Sequence, residues 1–438
     1  MENKQTFYIE SLGCDKNRID SEIMAYKLVE SGYTLSQKED AQIIIVNSCG
    51  FIESARQESI NKVIELSQYK NNLCKKIILT GCLPQIYGQE LYKDLTEADC
   101  ICGANYEDIV KVVDSCFNST QRFICPISKL DTVSQGKRIV STPSHYAYVK
   151  IADGCNNFCS YCSIPYIRGR FRSRPIKNII DEVVDLVNGG VREVILVAQD
   201  TTKYGFDLYG KPSLVELLTQ LTAIQNLHWI RILYCYPELV DDSLLKLITA
   251  SNKIAKYIDI PLQHVDDFIL AKMNRKTNEQ QVYDLFDNLT ANYPDIALRT
   301  TFICGFPYED QTKFNKVATF LKKYKLDNVG FFAYSIEEGT PAAKFEQIDK
   351  RTKETRVKKL YQLQQKISCQ NLHKYVGRQL EVVVEEKLDD CYIARSMYQA
   401  PDIDGIVYIY SDKELTIGQF YNANITQNTD YDLIGEIL

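Results

Sequence analysis

Residues 145–162 read HYAYVKIADGCNNFCSYC. His145 to Ile151 is a strand-sized apolar run, and Cys155, Cys159 and Cys162 follow it directly, spaced by three residues and then by two. Working outward, strand-like runs recur at Glu193 to Gln199, Trp229 to Tyr234, Tyr257 to Ile260, Leu298 to Cys304 and Val329 to Tyr334, with a helix-length stretch between each and the next. Six such repeats over about 220 residues predict a partial (β/α)6 version of the eight-unit barrel, whose functional loops lie at the strand carboxyl ends. The three cysteines fall in the first of those loops.

Upstream, Phe7 to Leu12, Ile43 to Asn47, Lys76 to Thr80 and Ala98 to Cys102 read as strands, and Asp20 to Glu30, Glu53 to Tyr69 and Gln85 to Lys93 as helices. That alternation predicts an α/β domain over residues 1–138, a doubly wound parallel sheet with helices on both faces. Asp131 to Ser144 is polar and ends in Thr-Pro, as a linker or crossing loop would. The barrel domain spans 139–374 and closes on a basic helical stretch, Lys344 to Lys374, that carries Arg351, Lys353, Arg356, Lys358 and Lys359. Such a charge run is first a solvated helix face, with a partner-binding face as its rival. After Tyr375 the rhythm becomes that of short strands at Leu380 to Glu385, Cys391 to Ser396, Gly405 to Ile409 and Gln419 to Thr426, which predicts a small β-barrel over 375–438.

A chain of 438 residues suits two to four domains, and 45% apolar with 25% charged residues supports packed cores while excluding a membrane protein or a disordered chain. The longest apolar runs, such as Ile43 to Val46 and Val194 to Ala198, are far short of the roughly 20 residues of a membrane span. The net charge of −6 gives no global cationic field for nucleic acid. Fifteen cysteines are an odd number, and the first 20 residues have no apolar signal core, so the thiols are expected to be reduced and the protein cytoplasmic.

Three thiolates on one short loop can hold three irons of a cubane and leave the fourth without a protein ligand, open to a substrate or cofactor. A zinc site would need a fourth ligand, and none of the four histidines lies within 16 residues after Cys162. A redox pair of Cys159 and Cys162 would leave Cys155 without a role, and inert core thiols have no reason to gather at a strand end.

The CxxxCxxC loop after the first strand of a partial barrel resembles the signature of the radical S-adenosylmethionine superfamily. Its continuation, Ile164-Pro165-Tyr166-Ile167-Arg168-Gly169 through Arg172-Ser173-Arg174, resembles the methylthiotransferase branch, whose three domains follow one another in this order and cover essentially the whole chain. The resemblance implies a [4Fe-4S] cluster on Cys155, Cys159 and Cys162 that binds S-adenosylmethionine and cleaves it to a 5′-deoxyadenosyl radical, with the protein positioning the cofactor and excluding water. It also implies cofactor contacts near the strand ends: Tyr161 against the adenine, Gln199 with Asp200, Pro261 to His264, and Arg299 with Gly305-Phe306-Pro307. Ordinary packing or turn chemistry competes with contact at each of them. No acid–base pair is implied, so no catalytic residue is expected beyond the cluster ligands.

Cys14, Cys49 and Cys82 each follow a predicted strand of the first domain, so an open sheet would bring them to one crevice. Gly13, Gly50 and Gly81 beside them allow close backbone approach. Spacing alone leaves Cys74, Cys100, Cys102, Cys116 and Cys125 as alternatives or as core thiols. The family resemblance implies that Cys14, Cys49 and Cys82 hold an auxiliary [4Fe-4S] cluster whose open iron carries the sulfur to be inserted. Cys235, Cys304, Cys369 and Cys391 match no ligand position.

The branch contains enzymes that modify a transfer-RNA adenosine and enzymes that modify an aspartate of a small-subunit ribosomal protein. From Gly377 onward there are four basic residues, Arg378, Lys387, Arg395 and Lys413, against twelve acidic ones. That balance repels RNA and attracts a basic ribosomal protein. Ser11 to Asn17, Tyr257 to His264, Tyr334 to Pro341 and Arg395 to Gly405 likewise resemble the RimO-type, ribosomal-protein enzymes. Asp15, where that family usually has proline, and Cys304, where it usually has an aliphatic residue, depart from the pattern at positions that ligate nothing. The expected reaction converts the aspartate to 3-methylthioaspartate: one S-adenosylmethionine methylates cluster-bound sulfur, a second yields the radical that removes hydrogen, and an external donor supplies electrons. No membrane and no direct nucleic-acid substrate are expected. The rivals are a transfer-RNA methylthiotransferase and, outside the enzymes, an iron–sulfur carrier.

Overall fold

The computed structural model describes residues 5–104, 106–125, 133 and 136–437. The first domain is a six-stranded parallel sheet built from β1 (Thr6–Ser11), β2 (Thr34–Leu35), β3 (Ile43–Ser48), β4 (Lys76–Gly81), β5 (Cys100–Ile101) and β6 (Phe123–Ile124), in the order β2-β1-β3-β4-β5-β6. The central strand β3 is buried at every position, because a parallel sheet covered on both faces turns its β-branched run entirely inward. Helices α1 (Asp15–Glu30), α2 (Glu53–Ser67), α3 (Cys82–Asp94) and α4 (Ile109–Asn118) supply the covering. The strand order reverses between β1 and β3, which opens a crevice at their carboxyl ends.

Two helices begin earlier than their apolar rhythm suggests. α1 starts at Asp15 rather than Asp20, and Lys16, Asn17, Asp20 and Glu22 on it are buried polar residues that no hydrophobic periodicity reports. α3 starts at Cys82 rather than Gln85 and accommodates Pro84 in its first turn. Of the segment read as a linker, Asp131, Thr132, Ser134 and Gln135 lie outside the described residues. Its far end is fastened to α1: Glu22 pairs with Arg138 and accepts from the Ser141 backbone N–H at 2.8 Å and its hydroxyl at 2.7 Å.

The chain continues through β7 (Tyr146–Lys150) into β8 (Ala152–Asp153), which pairs antiparallel with β9 (Arg172–Ser173). Between β8 and β9 lie the three-cysteine loop and the short helix α5 (Ile164–Arg168). The remaining barrel strands are β10 (Glu193–Val197), β11 (Trp229–Ile232), β12 (Tyr257–Asp259), β13 (Ala297–Cys304) and β14 (Asn328–Ala333). They form two parallel three-stranded sheets, β7-β10-β11 and β12-β13-β14, each strand beside its successor as in a partial (β/α)6 barrel. Five strands then close a small barrel, β15 (Gln379–Lys387), β16 (Tyr392–Ser396), β17 (Val407–Tyr410), β18 (Phe420–Asn428) and β19 (Leu433–Glu436), in the order β15-β16-β17-β19-β18. The last of these, Leu433–Glu436, was not anticipated.

By internal packing the chain divides into two compact units. The first joins residues 1–141 with 152–174 and 335–343, and the second joins 142–151 with 175–334 and 344–438. The three-cysteine loop thus belongs to the same compact unit as the N-terminal sheet.

In the second unit the small barrel is attached through a buried ion network. Glu193 receives Arg231 at 2.8 Å and Arg395 at 2.6 Å, Arg395 also reaches Glu385 at 2.9 Å, and His145 lies 3.1 Å from the same Glu385 oxygen. The basic helix Lys350–Leu372 likewise turns charge inward: Arg356 pairs with Glu309 at 2.8 Å, and Lys353 donates to the Tyr334 carbonyl at 3.1 Å. Arg351, Lys358 and Lys359 stay exposed, so the helix is only partly the solvated face its charge run suggests.

Burial opposes ionisation of Glu193, but Arg395 and then Arg231 outweigh it and hold the carboxyl below its ordinary range. Glu385 is lowered too, against burial, by His145 and Arg395. A depressed carboxylate contributes stability above its unfolded pKa of about 4.3 and loses it as pH falls through the lower folded value. The second unit should therefore lose stability below about pH 4.3, and Glu193→Gln, which leaves two arginines short of a partner, should cost about 3–5 kcal/mol at pH 7. Urea unfolding across pH 3–7 checks both, and a variant as stable as the parent at pH 7 would contradict the assignment.

Candidate active site

Parallel pairing aligns the strand ends of the first unit: Ser11 lies beside Asn47, Asn47 beside Thr80, and Ser48 beside Gly81. The next residues carry the thiols. Cys14 occupies the N-cap of α1, Cys49 follows β3, and Cys82 is the first residue of α3. Two of the three thiols thus stand at helix N-termini, where unsatisfied N–H groups and the helix dipole favour a negative ligand.

The glycines set how closely these loops approach. A Cβ on Gly13 would fall 2.7 Å from Cys49 Cβ, and one on Gly50 would fall 2.7 Å from Leu83 Cα. Gly81, at φ +100°, has Asn47 and Ser48 atoms 2.5 Å from where its Cβ would be. Larger residues at these places would force the three cysteine loops apart. Burial pushes the Cys49 thiol up to about 12, with Cys82 and Cys14 close enough to add to the rise. Burial also raises Cys82, against the opposing pull of Arg168. Ligation by metal requires thiolates, so loading this site releases protons.

Asn17 ties the loops together. Its amide donates to the carbonyls of Leu12 at 2.9 Å and Ser48 at 3.0 Å, and its backbone carbonyl accepts from Asn47 at 2.9 Å. Ser59, wholly buried on α2, bonds both the N–H and the carbonyl of Cys49.

The second triad belongs to the same unit. Cys155 and Cys159 are buried and Cys162 is half-buried, on a loop closed by Cys155 N–H to Gly169 O at 3.1 Å and Cys162 N–H to Cys159 O at 3.0 Å. Gly154 is needed at φ +79°, since a Cβ there would lie 2.1 Å from the Arg170 carbonyl oxygen. Phe158, between the first two cysteines, adopts φ 50°, a left-handed conformation costly for a bulky residue and typical of functional loops. Tyr161 is half-buried beside Cys162. The segment 335–343 supports this loop: Ala342 N–H donates to Ser160 O at 2.8 Å, while Glu337 pairs with Arg56 of α2.

Arg168, which sequence reading quoted only as part of a motif, sits between the two triads' segments with 2% exposure. One guanidinium nitrogen donates to Asp20 at 2.5 Å and lies 3.6 Å from Asp153; the other donates to Asn17 and, at 3.3 Å, to Cys82 Sγ. No sequence signal singles it out, because Arg170, Arg172 and Arg174 follow it within six residues.

In the second unit, Gln199 is half-buried just after β10, and Asp200 is committed to its own turn through Thr202 at 2.8 Å and Lys203. His264 is buried, with Nδ1 accepting from the Asp266 N–H at 3.0 Å and Nε2 lying 3.5 Å from Glu309. Arg299 is the third residue of β13, away from that strand's carboxyl end, and its guanidinium meets Asp259 at 3.0 Å and Asp404 at 3.4 Å. Asp404 also accepts from Tyr257 at 2.7 Å and from the Ala400 N–H at 2.8 Å, so the Gln399–Gly405 motif fastens the small barrel to β12 and β13. The other thiols gather elsewhere. Cys100 lies with Cys102, Cys116 and Cys125, its sulfur 3.6 Å from that of Cys125, as a buried group packed under α4. Among the described residues no three His, Cys, Asp or Glu side chains are placed around a single metal ion. The donor sets present, three sulfurs on each of two loop systems, fit iron–sulfur clusters.

Comparison with known proteins adds three family matches: uncharacterized protein family UPF0004 over residues 6–103, the radical SAM superfamily over 149–321, and a TRAM domain over 376–438. Similar curated proteins include the ribosomal protein uS12 methylthiotransferases RimO of Clostridium botulinum (47% identical; 98% of this chain, 97% of the relative) and Clostridium acetobutylicum (44%; 99% and 98%). The same enzyme of Desulforamulus reducens is 47% identical, over 98% of each chain. Among solved structures, the radical S-adenosylmethionine methyltransferase TsrM of Kitasatospora setae superposes with a TM-score of 0.59 at 11% identity, covering 77% of this chain and 73% of its own. The cobalamin-dependent radical enzyme OxsB gives 0.54 at 11%, covering 82% and 56%. At such identities the two structures speak for the fold alone.

Proposed function

Given that the chain belongs to the ribosomal protein uS12 methylthiotransferase family of radical S-adenosylmethionine enzymes, we propose which residues carry its reaction and which atom of the substrate they serve. The enzyme transfers a methylthio group to ribosomal protein uS12, with S-adenosylmethionine and [4Fe-4S] clusters as cofactors. The acceptor, in this proposal, is an aspartate β-carbon, giving 3-methylthioaspartate.

One observation carries the reading: the ends of three adjacent parallel strands bring Cys14, Cys49 and Cys82 together, in the same compact unit as the Cys155–Cys162 loop. We assign Cys155, Cys159 and Cys162 to the cluster that binds S-adenosylmethionine, and Cys14, Cys49 and Cys82 to the auxiliary cluster. When bound, these groups supply one-electron cleavage of the sulfonium and the sulfur to be transferred. The protein's own residues hold and orient. Three thiolates per site leave one iron of each cluster to a non-protein ligand. Tyr161 is assigned to the adenine, and Gln199 and Arg299 to the same cofactor, with Arg299 oriented by its pairing to Asp259 and Asp404. The electrons come from an external donor.

The small C-terminal barrel is assigned to docking of the basic substrate. Arg395 is buried within the ion network, and Glu386, Asp389, Asp390, Asp402, Asp412, Glu414, Asp430 and Glu436 are exposed against Arg378, Lys387 and Lys413, so the surface keeps the acidic sign of the composition. A field of that sign favours a ribosomal protein over RNA. No helix among the described residues is long and apolar enough to cross a membrane, and we place the enzyme in the cytoplasm with its substrate.

The test is mass spectrometry after anaerobic incubation of the reconstituted enzyme, S-adenosylmethionine, sulfide and reductant with recombinant uS12 or with bulk transfer RNA. The expected result is a methylthio gain on an aspartate peptide of uS12 and none on RNA. A gain confined to an adenosine would overturn the substrate assignment and leave the cluster ligands standing.

A further inference from the structure

Arginine is always charged and presents a planar fork of donors, so a buried one must be met by acceptors on several sides. Arg168 is met on one side by two carboxylates, Asp20 and Asp153, and on the other by Asn17 Oδ1 and Cys82 Sγ. Each partner belongs to a ligand segment. Asp153 is two residues before Cys155, Asn17 three residues after Cys14, and Arg168 itself six residues after Cys162. The guanidinium therefore bridges the loop of one triad to two loops of the other.

From this geometry we propose that Arg168 is a positioning residue that sets the electronic character of the auxiliary cluster through its N–H to Cys82 sulfur bond, while fastening the two cysteine triads to one another. The proposal rests on the assignment of Cys14, Cys49 and Cys82 as ligands. A donor and positive charge on a ligating sulfur stabilise the reduced, more negative cluster and raise its reduction potential. Asp20 and Asp153 hold the guanidinium in the orientation that makes this bond, and they remain as uncompensated negative charge if it is removed.

The experiment uses the full chain with Cys155, Cys159 and Cys162 all replaced by alanine, so that only the auxiliary site loads. In that background the midpoint potential and electron paramagnetic resonance spectrum of the reduced cluster are compared for Arg168, Arg168→Lys and Arg168→Gln. The glutamine variant is expected to shift the potential to more negative values and alter the spectrum. The lysine variant, which keeps the charge but cannot span sulfur and carboxylates together, should shift less in the same direction. If the glutamine variant does not fold, the lysine variant decides on the same readout. Unchanged potential and spectrum in the folded variants would overturn the role of Arg168. A parent that takes up no iron–sulfur cluster would instead overturn the assignment beneath it, so the two failures are distinguishable.

Discussion

Cys159→Ala is expected to reduce 5′-deoxyadenosine formation to background under reducing conditions, and methylthiolation with it. Cys159 is buried at the centre of a loop whose geometry is fixed on every side: the β8–β9 pair, the Gly154 approach to Arg170, and the backbone bonds Cys155 N–H to Gly169 and Cys162 N–H to Cys159. A loop so constrained cannot bring another sulfur into the lost position. Cys162 and Cys155 remain, but two thiolates do not retain a cubane that needs three protein ligands. Iron content should fall by about half, from about eight to about four per chain, because the auxiliary site keeps all its ligands. Cleavage at the parental rate would remove Cys159 from the ligand set.

Cys82→Ala should give the complementary result: methylthio transfer abolished, with S-adenosylmethionine cleavage retained in part and iron again reduced by about half. Cys82 is the first residue of α3 and receives the Arg168 N–H at 3.3 Å, so its loss removes both a ligand and the contact that orients it. The other triad keeps its sulfurs and its loop. Liquid chromatography of 5′-deoxyadenosine together with mass spectrometry of uS12 separates the two activities. Full methylthiolation by Cys82→Ala would refute the auxiliary-site assignment, while loss of cleavage equal to that of Cys159→Ala would show that the two sites do not act separately.

The parts that were legible in the sequence have one physical origin. Parallel strands buried on both faces must be continuous β-branched runs, so Ile43–Ser48 and Glu193–Val197 announced themselves, and the sheet edge along which Cys14, Cys49 and Cys82 follow their strands was legible with them. The parts that were not legible are the polar interior. Asn17, Asp20 and Glu22 on α1 look like a solvated first turn, and only the folded structure turns them toward Arg168, Arg138 and the cysteine loops. The pairing of Arg299 with Asp259 and Asp404 depends on where the Gln399–Gly405 turn docks, about 100 residues away in sequence. Arg395 and Asp404, quoted in a family-like motif, likewise join the small barrel to β10, β12 and β13 by long-range contacts that spacing does not encode.

In the proposed reaction the aspartate β-carbon of uS12 would lose its hydrogen to the 5′-deoxyadenosyl group supplied by bound S-adenosylmethionine. The direct measurement is the isotopic composition of 5′-deoxyadenosine formed by the reconstituted holoenzyme acting on uS12 whose aspartates are deuterated at the β-carbon. Deuterium in 5′-deoxyadenosine, in proportion to methylthiolated uS12, with no 5′-deoxyadenosine above background from the Cys159→Ala control, is the predicted result. Methylthiolated uS12 accompanied by 5′-deoxyadenosine free of deuterium would contradict it.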